Sequence, residues 1–251
     1  MNSLTRSVPI DSPATLPPAG ATTAGDGRRA IGLGLLLIVE GLLSFAPLVI
    51  LGAAIGWPAS LDNPPAQQLA AIAAAPGAVA AGYGVYLLYS ILVAPLMIGM
   101  AARTFGGTAS PLALTVAAFG ALSALARAIG ILRWLTVMPV LAGAHAAADP
   151  AGRARIELVF TAVHAYGGGI GEILGVSLFM ALSLGTLSAA AWVRRAQPRW
   201  LAGFGLLSAL LLAGVALPSL GIAIEVPMAA AVTSLSLWMF AAGAWVLRRP
   251  G

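Results

Sequence analysis

ELVFTAVHAYGGGIGEILGVSLFMALSLGTLSAAAWV, residues 157–193, decides the class of this protein. The run is long and apolar, contains no Pro, and is followed by Arg194 and Arg195. An apolar segment of about 18 residues or more reads first as a membrane-spanning helix, because a helix satisfies its own backbone N–H and C=O groups in hydrocarbon. Within it stand His164, Tyr166, a glycine run (Gly167, Gly168, Gly169, Gly171) and a carboxylate, Glu172. An ionisable group in such a segment is costly, so it asks for a partner and raises the question of a function.

Composition agrees with that reading. Over 251 residues, 60% are hydrophobic and 8% charged, with a mean hydropathy of +0.96. Soluble domains carry about a quarter charged residues. One membrane domain absorbs this length. There is no Cys, which excludes disulfides and thiolate metal sites. The net charge of +5 comes entirely from Arg, since the chain has no Lys. These arginines cluster at the ends of apolar runs, where they report membrane orientation rather than nucleic-acid binding.

Residues 1–27, with Pro9, Pro13, Pro17 and Pro18, read as a disordered cytoplasmic tail, and 28–249 as the membrane domain. Six spans are expected, at 30–57, 79–102 (kinked by Pro95), 111–139, within 157–193, at 200–217 and at 226–247. Residues 58–76 read as an external loop holding a short interfacial helix. A second external loop is expected at 141–155, with His145 as a plain surface residue. The fold class is therefore all-α, a six-transmembrane-helix bundle. With the N-terminus inside, Arg6, Arg28, Arg29, Arg103, Arg194, Arg195, Arg199, Arg248 and Arg249 fall in the cytoplasm. Only Arg153 and Arg155 fall in outer loops, so both termini are expected inside, across a bacterial cytoplasmic (inner) membrane. Trp57, Trp192, Trp200 and Trp245 sit near span ends, as interfacial Trp do.

The charges inside the spans are the candidates for function. At 1.5 Å per residue, Glu40 lies about 15 Å and Arg127 about 24 Å from the cytoplasmic edge, with Arg133 at the outer interface. Glu172 falls in the outer half, and the fourth segment, longer than one bilayer crossing, is expected to protrude outward or to break at the glycine run. His164, Gly168 and Glu172 share a face at i, i+4, i+8, and Gly171 and Gly175 let another helix approach there. The first choice of ion pair is Arg127 with Glu172, and the second is Arg127 with Glu40. Tyr83, Tyr86 and Tyr89 can form an aromatic wall, although Tyr near an interface needs no special role.

At ARAIGILRWLTVMPVLA and VHAYGGGIGEILG the chain resembles an uncharacterised six-span bacterial integral membrane family defined by a domain of unknown function. The shared features are the Arg-Trp pair (Arg133, Trp134) and His-Ala-Tyr-Gly (His164 to Gly167), and the resemblance covers about residues 30–247. It implies a six-helix bundle in the cytoplasmic membrane and no particular activity. Members often carry a further His a few turns after the first. Here that region holds Leu178 and Phe179, so a two-His site is not expected.

Three functions stay open from the sequence. Arg127, Arg133, His164, Glu172 and Glu40 could bind a small solute for transport or sensing. They could instead form ion pairs that only fix helix packing. Glu172 or His164 could also serve as acid or base in an intramembrane enzyme acting on lipid. No catalytic motif, cofactor or metal site is expected. The expected partners are membrane lipid and an unidentified small molecule, with no nucleic acid, and self-association into homo-oligomers stays open.

Overall fold

Among the described residues, 24–249 of the computed structural model, every regular element is helical. The expected tail therefore lies outside the described residues up to residue 23. Its last positions are helical, because α1 (Ala24–Leu43) already begins there. Five helical segments are long and apolar enough to cross a membrane: Gly27–Ile55, Pro76–Phe105, Pro111–Ala147, Pro150–Arg194 and Met228–Arg248. A sixth apolar helix, Arg199–Val215, is shorter, at 17 residues. Large apolar side chains stand exposed on the outer flanks, among them Leu35, Val49, Leu88, Leu125 and Leu210. Apolar exposure spread over so many helices fits a multi-pass membrane protein and would be unusual for a soluble one.

The first span is α1 followed by α2 (Ala46–Ile55). Pro47 causes the interruption, since it has no N–H and its ring crowds the carbonyl of Leu43. The chain responds with a tight turn in which Phe45 N donates to Leu42 O at 3.1 Å. After a 3₁₀ turn at Ala59–Asp62 comes α3 (Pro65–Ala74), the helix expected in the external loop. It is not an interfacial float. Gln68, Leu69 and Ile72 are buried, and Gln68 Nε2 ties the turn down through Leu61 O (3.0 Å) and Asn63 O (2.8 Å).

Two long helices follow, α4 (Pro76–Phe105) and α5 (Pro111–Ala147). Pro95 lies inside α4 as expected, but Pro139 does not end α5. Membrane helices tolerate an internal Pro when packing outweighs the lost hydrogen bond, and here Met138 and Ala142 on the continuing turns are buried. The loop expected at 141–155 shrinks accordingly. Helix α6 (Pro150–Gly168) follows α5 after a link of two residues, capped by Asp149, which accepts from Gly152 N at 2.7 Å. Arg153 and Arg155 are helical, and His145 is no plain surface residue, since its Nε2 meets Glu157 Oε1 at 2.9 Å across the hairpin.

The glycine run does not break the fourth segment. Helix α6 passes into a π-helical stretch, Gly169–Phe179, and then α7 (Met180–Arg194), giving 45 continuous helical residues. At about 1.5 Å per residue this is roughly twice the hydrocarbon thickness, longer than one crossing requires. Helices α8 (Arg199–Val215) and α9 (Met228–Arg248) complete the chain.

Two apolar cores result. The larger one includes Leu37, Met97, Met180, Leu212 and Trp238, and fills the middle of the bundle. The other gathers Leu51, Leu69, Tyr83, Trp134, Met138 and Phe160 where α3, α5 and α6 extend beyond it. Serines stitch the helices where apolar packing gives no direction. Ser183 Oγ donates to Val116 O and Ser123 Oγ to Gly175 O, both at 2.7 Å, while Ser208 meets Ser234 (2.7 Å) and Ser44 meets Ser236 (2.8 Å). At the opposite end, Arg103 stacks on Trp245 and donates to Arg249 O, and Arg194 lies over Phe105. The ends of α4, α7 and α9 thus meet in one arginine-rich rim.

Candidate functional site

Arg127 and Arg133 lie on α5, which packs against the π segment more closely than side chains would allow. A Cβ on Gly130 would stand 2.7 Å from Gly171 Cα and 2.9 Å from Gly167 O. A Cβ on Gly175 would come 2.9 Å from both Arg127 Cγ and Arg127 N, and one on Gly167 would come 2.5 Å from Arg133 Cδ. The glycines are therefore the grooves into which the two arginine stems fit, the small-residue packing expected of this stretch.

Above this contact opens a pocket lined by Arg127, Arg133 and Glu172, with walls from Trp57, Tyr83, Tyr86 and Trp134. The space open to a water-sized sphere is about 40 Å³. One water needs about 10–15 Å³ by that measure, so the pocket admits a few waters or a small solute and no drug-sized ligand. Tyr83 stacks on Trp134 with centroids 4.7 Å apart and planes at 6°, and Trp57 meets Tyr86 edge-on at 6.0 Å. These contacts hold the walls rigid. The Tyr stripe anticipated on α4 thus lines the pocket with Tyr83 and Tyr86. Trp57, read from the sequence as an interfacial anchor, belongs to the same wall.

The two guanidinium groups are held differently. Arg133 is 8% exposed, donates from Nη1 to Gly130 O at 2.6 Å and lies 5.5 Å from the Trp134 ring centroid. Arg127 is 2% exposed and donates from Nη1 to Tyr89 Oη at 3.3 Å. Its Nε and Nη2 have no hydrogen-bond partner. Those atoms carry the parallel N–H pair that takes a carboxylate or another planar oxyanion bidentately.

The anticipated pair of Arg127 with Glu172 is not formed, as no ion pair within 4 Å joins them among the described residues. Glu172 is the exposed member of the lining and its field falls on Arg133, whereas Arg127 is the cation that acts on Glu40. Two features explain the difference. The i→i+5 ladder begins at Gly169 and turns Glu172 away from the face that α-helical spacing assigned to it. His164, on the α-helical side of that junction, stacks on Phe160 (5.7 Å, 9°) and meets Trp134 edge-on (5.5 Å). It packs behind the wall and does not line the pocket. Glu172 lines the pocket and His164 does not.

Glu40 is fully buried, outside the lining, and neither carboxylate oxygen has a hydrogen-bond partner. No group of three or more His, Cys, Asp or Glu suited to a metal is found among the described residues. No curated protein and no solved structure matches the chain. The family described as a domain of unknown function, DUF4386, matches residues 32–243, and the chain belongs to it.

Proposed function

We propose that this is a six-span inner-membrane protein of bacterial type, with both termini in the cytoplasm, that binds a small planar oxyanion in a pocket facing outward, for transport or sensing. The observation that carries the reading is Arg127, a buried cation in the pocket lining whose adjacent Nε and Nη2 donors are unpaired. Leaving charged donors buried and unsatisfied costs several kcal/mol, which a bound anion recovers. Arg127 and Arg133 against Glu172 give the lining a surplus of one positive charge, and the space suits a short-chain carboxylate or nitrate.

The orientation rests on the arginine-rich rim formed by the ends of α4, α7 and α9, because positive charge is retained on the cytoplasmic side. The pocket lies toward the other end, beside the turn carrying Trp57 and Leu61. The sixth span is α8, whose 17 residues are at the lower limit for a crossing.

The test is calorimetric titration of the purified protein with acetate and with nitrate. Arg127→Met should weaken binding by about 100-fold, the loss of a bidentate charge-assisted contact, while the yield of folded protein stays unchanged. Flux into liposomes then separates a transporter from a sensor. The second reading, polar residues that only fix helix packing, draws support from Arg133, whose stem fills the Gly167 groove and whose Nη1 holds Gly130 O. It expects no anion binding in the wild type and a loss of folded protein in Arg127→Met.

A further inference from the structure

We propose that Glu40 is a proton-binding site linked to the anion pocket through Arg127, so that one proton is taken up with each monovalent anion bound. The inference rests on the pocket being an anion site, as argued above.

Glu40 belongs to the same layer of the bundle as Arg127. Leu33 of α1 packs on Gly99 of α4, and Leu51 of α2 packs on Gly82. Interpolating between these antiparallel contacts puts Glu40, two turns beyond Leu33, level with Tyr89 to Val93. Tyr89 accepts from Arg127 and feels the fields of both Arg127 and Glu40. This layer is unusually incomplete. Both Glu40 oxygens, Arg127 Nε and Nη2, and Ser90 Oγ are all buried without hydrogen-bond partners. Glu40 and Ser90 are 0% exposed.

The charged and titratable groups that face Glu40 are few. Helix α5 contributes Arg127 and α4 contributes Tyr89. Helix α2 has no titratable side chain, and α9 carries only Arg248, at its far end. Among the described residues, Arg127 is thus the sole countercharge of a carboxylate that is wholly enclosed. It also lines the pocket, and its free donor pair cannot serve two anions in full. Where Glu40 is ionised with the pocket empty, Arg127 is its countercharge. When an oxyanion occupies the donor pair, Glu40 loses its countercharge in a low-dielectric layer, where an unpaired charge is strongly disfavoured. It then binds a proton from solvent on one Oε. No other bond changes, and the net charge of the layer is the same before and after.

The experiment uses nitrate, which does not itself take up protons in the working range. Nitrate is added to the full-length protein in weakly buffered detergent solution with a pH indicator, and its affinity is measured across pH. At a pH where empty-state Glu40 is ionised and nitrate-bound Glu40 is not, the proposal expects about one proton taken up per nitrate. It also expects a dissociation constant that rises about tenfold per pH unit between the titration of empty-state Glu40 and that of nitrate-bound Glu40, and is flat on either side. In Glu40→Gln, nitrate should still bind, with no proton uptake and no pH slope. In Glu172→Gln, uptake should persist. Nitrate binding without proton uptake at every pH across the range overturns the proposal and leaves the anion pocket standing, and this measurement holds even if Glu40→Gln does not fold. Uptake that persists in Glu40→Gln, or vanishes in Glu172→Gln, assigns the proton elsewhere and also overturns it. Absence of binding by nitrate and acetate alike removes the pocket itself.

Discussion

Arg127 and Arg133 are six residues apart on one helix and occupy one pocket, yet their surroundings assign them different work. Arg133 is braced by Gly130 O, by the Trp134 ring and by the Gly167 groove, whereas one edge of the Arg127 guanidinium is buried without a hydrogen-bond partner. Glu172, the exposed carboxylate of the lining, repels an incoming anion. Glu172→Gln should tighten nitrate binding by roughly threefold to tenfold, read by titration, as expected for one unit charge removed several ångströms away. Weaker binding would show that Glu172 positions Arg133 instead. His164 contributes an imidazole stacked on Phe160, with a buried and unpartnered Nδ1. His164→Phe keeps the ring and removes that polar atom, so the melting temperature should hold or rise while nitrate affinity stays the same. The cost of charge in lipid singled out Glu40, Arg127, Arg133 and Glu172 from the sequence alone. Which of them face each other could not be read there, because that depends on helix rotation, and the π segment alters the rotation between His164 and Glu172.

At the scale of elements, the contact of α5 with the π segment positions everything in the pocket. Gly130→Ala drives a methyl group into the backbone of Gly171 and Gly167, which cannot swing aside. We expect a loss of about 1–3 kcal/mol, seen as a lower melting temperature in detergent, with nitrate binding impaired as the arginine stems shift. Gly143→Ala on the same helix meets nothing within 4 Å and should be neutral or slightly stabilising. Equal effects from the two would show that the close approach is not under tension. Helix existence was legible from apolar run length, and the small-residue contact from glycine spacing. Helix ends were less so. Pro139 read as a terminator, but the burial of Met138 and Ala142 carries α5 on to Ala147. The same extension converts an expected loop into a tight hairpin clasped by His145 and Glu157.

For the whole molecule, the proposed topology makes one direct prediction. Reporter fusions after residues 107, 197 and 249 should all report cytoplasm, and fusions after residues 63, 148 and 222 the outer side. A split between 107 and 197 would invert the pocket and remove the case for an outward-facing site. Hydropathy made the multi-pass class legible, and the arginine distribution proposed its orientation. The second core was not legible, since it forms where residues of α2, α3, α4, α5 and α6 that lie far apart in the chain are brought together around α3. Length matters too. In the six-span arrangement α8, at 17 residues, reaches only about 25 Å, some 5 Å short of a typical hydrocarbon layer. Lipids beside it must shorten or disorder their chains, at a cost of fractions of a kcal/mol per ångström. Acyl-chain length thereby becomes a control on this protein, which is most at ease in thin bilayers and under growing strain along the α8 flank as the lipids lengthen.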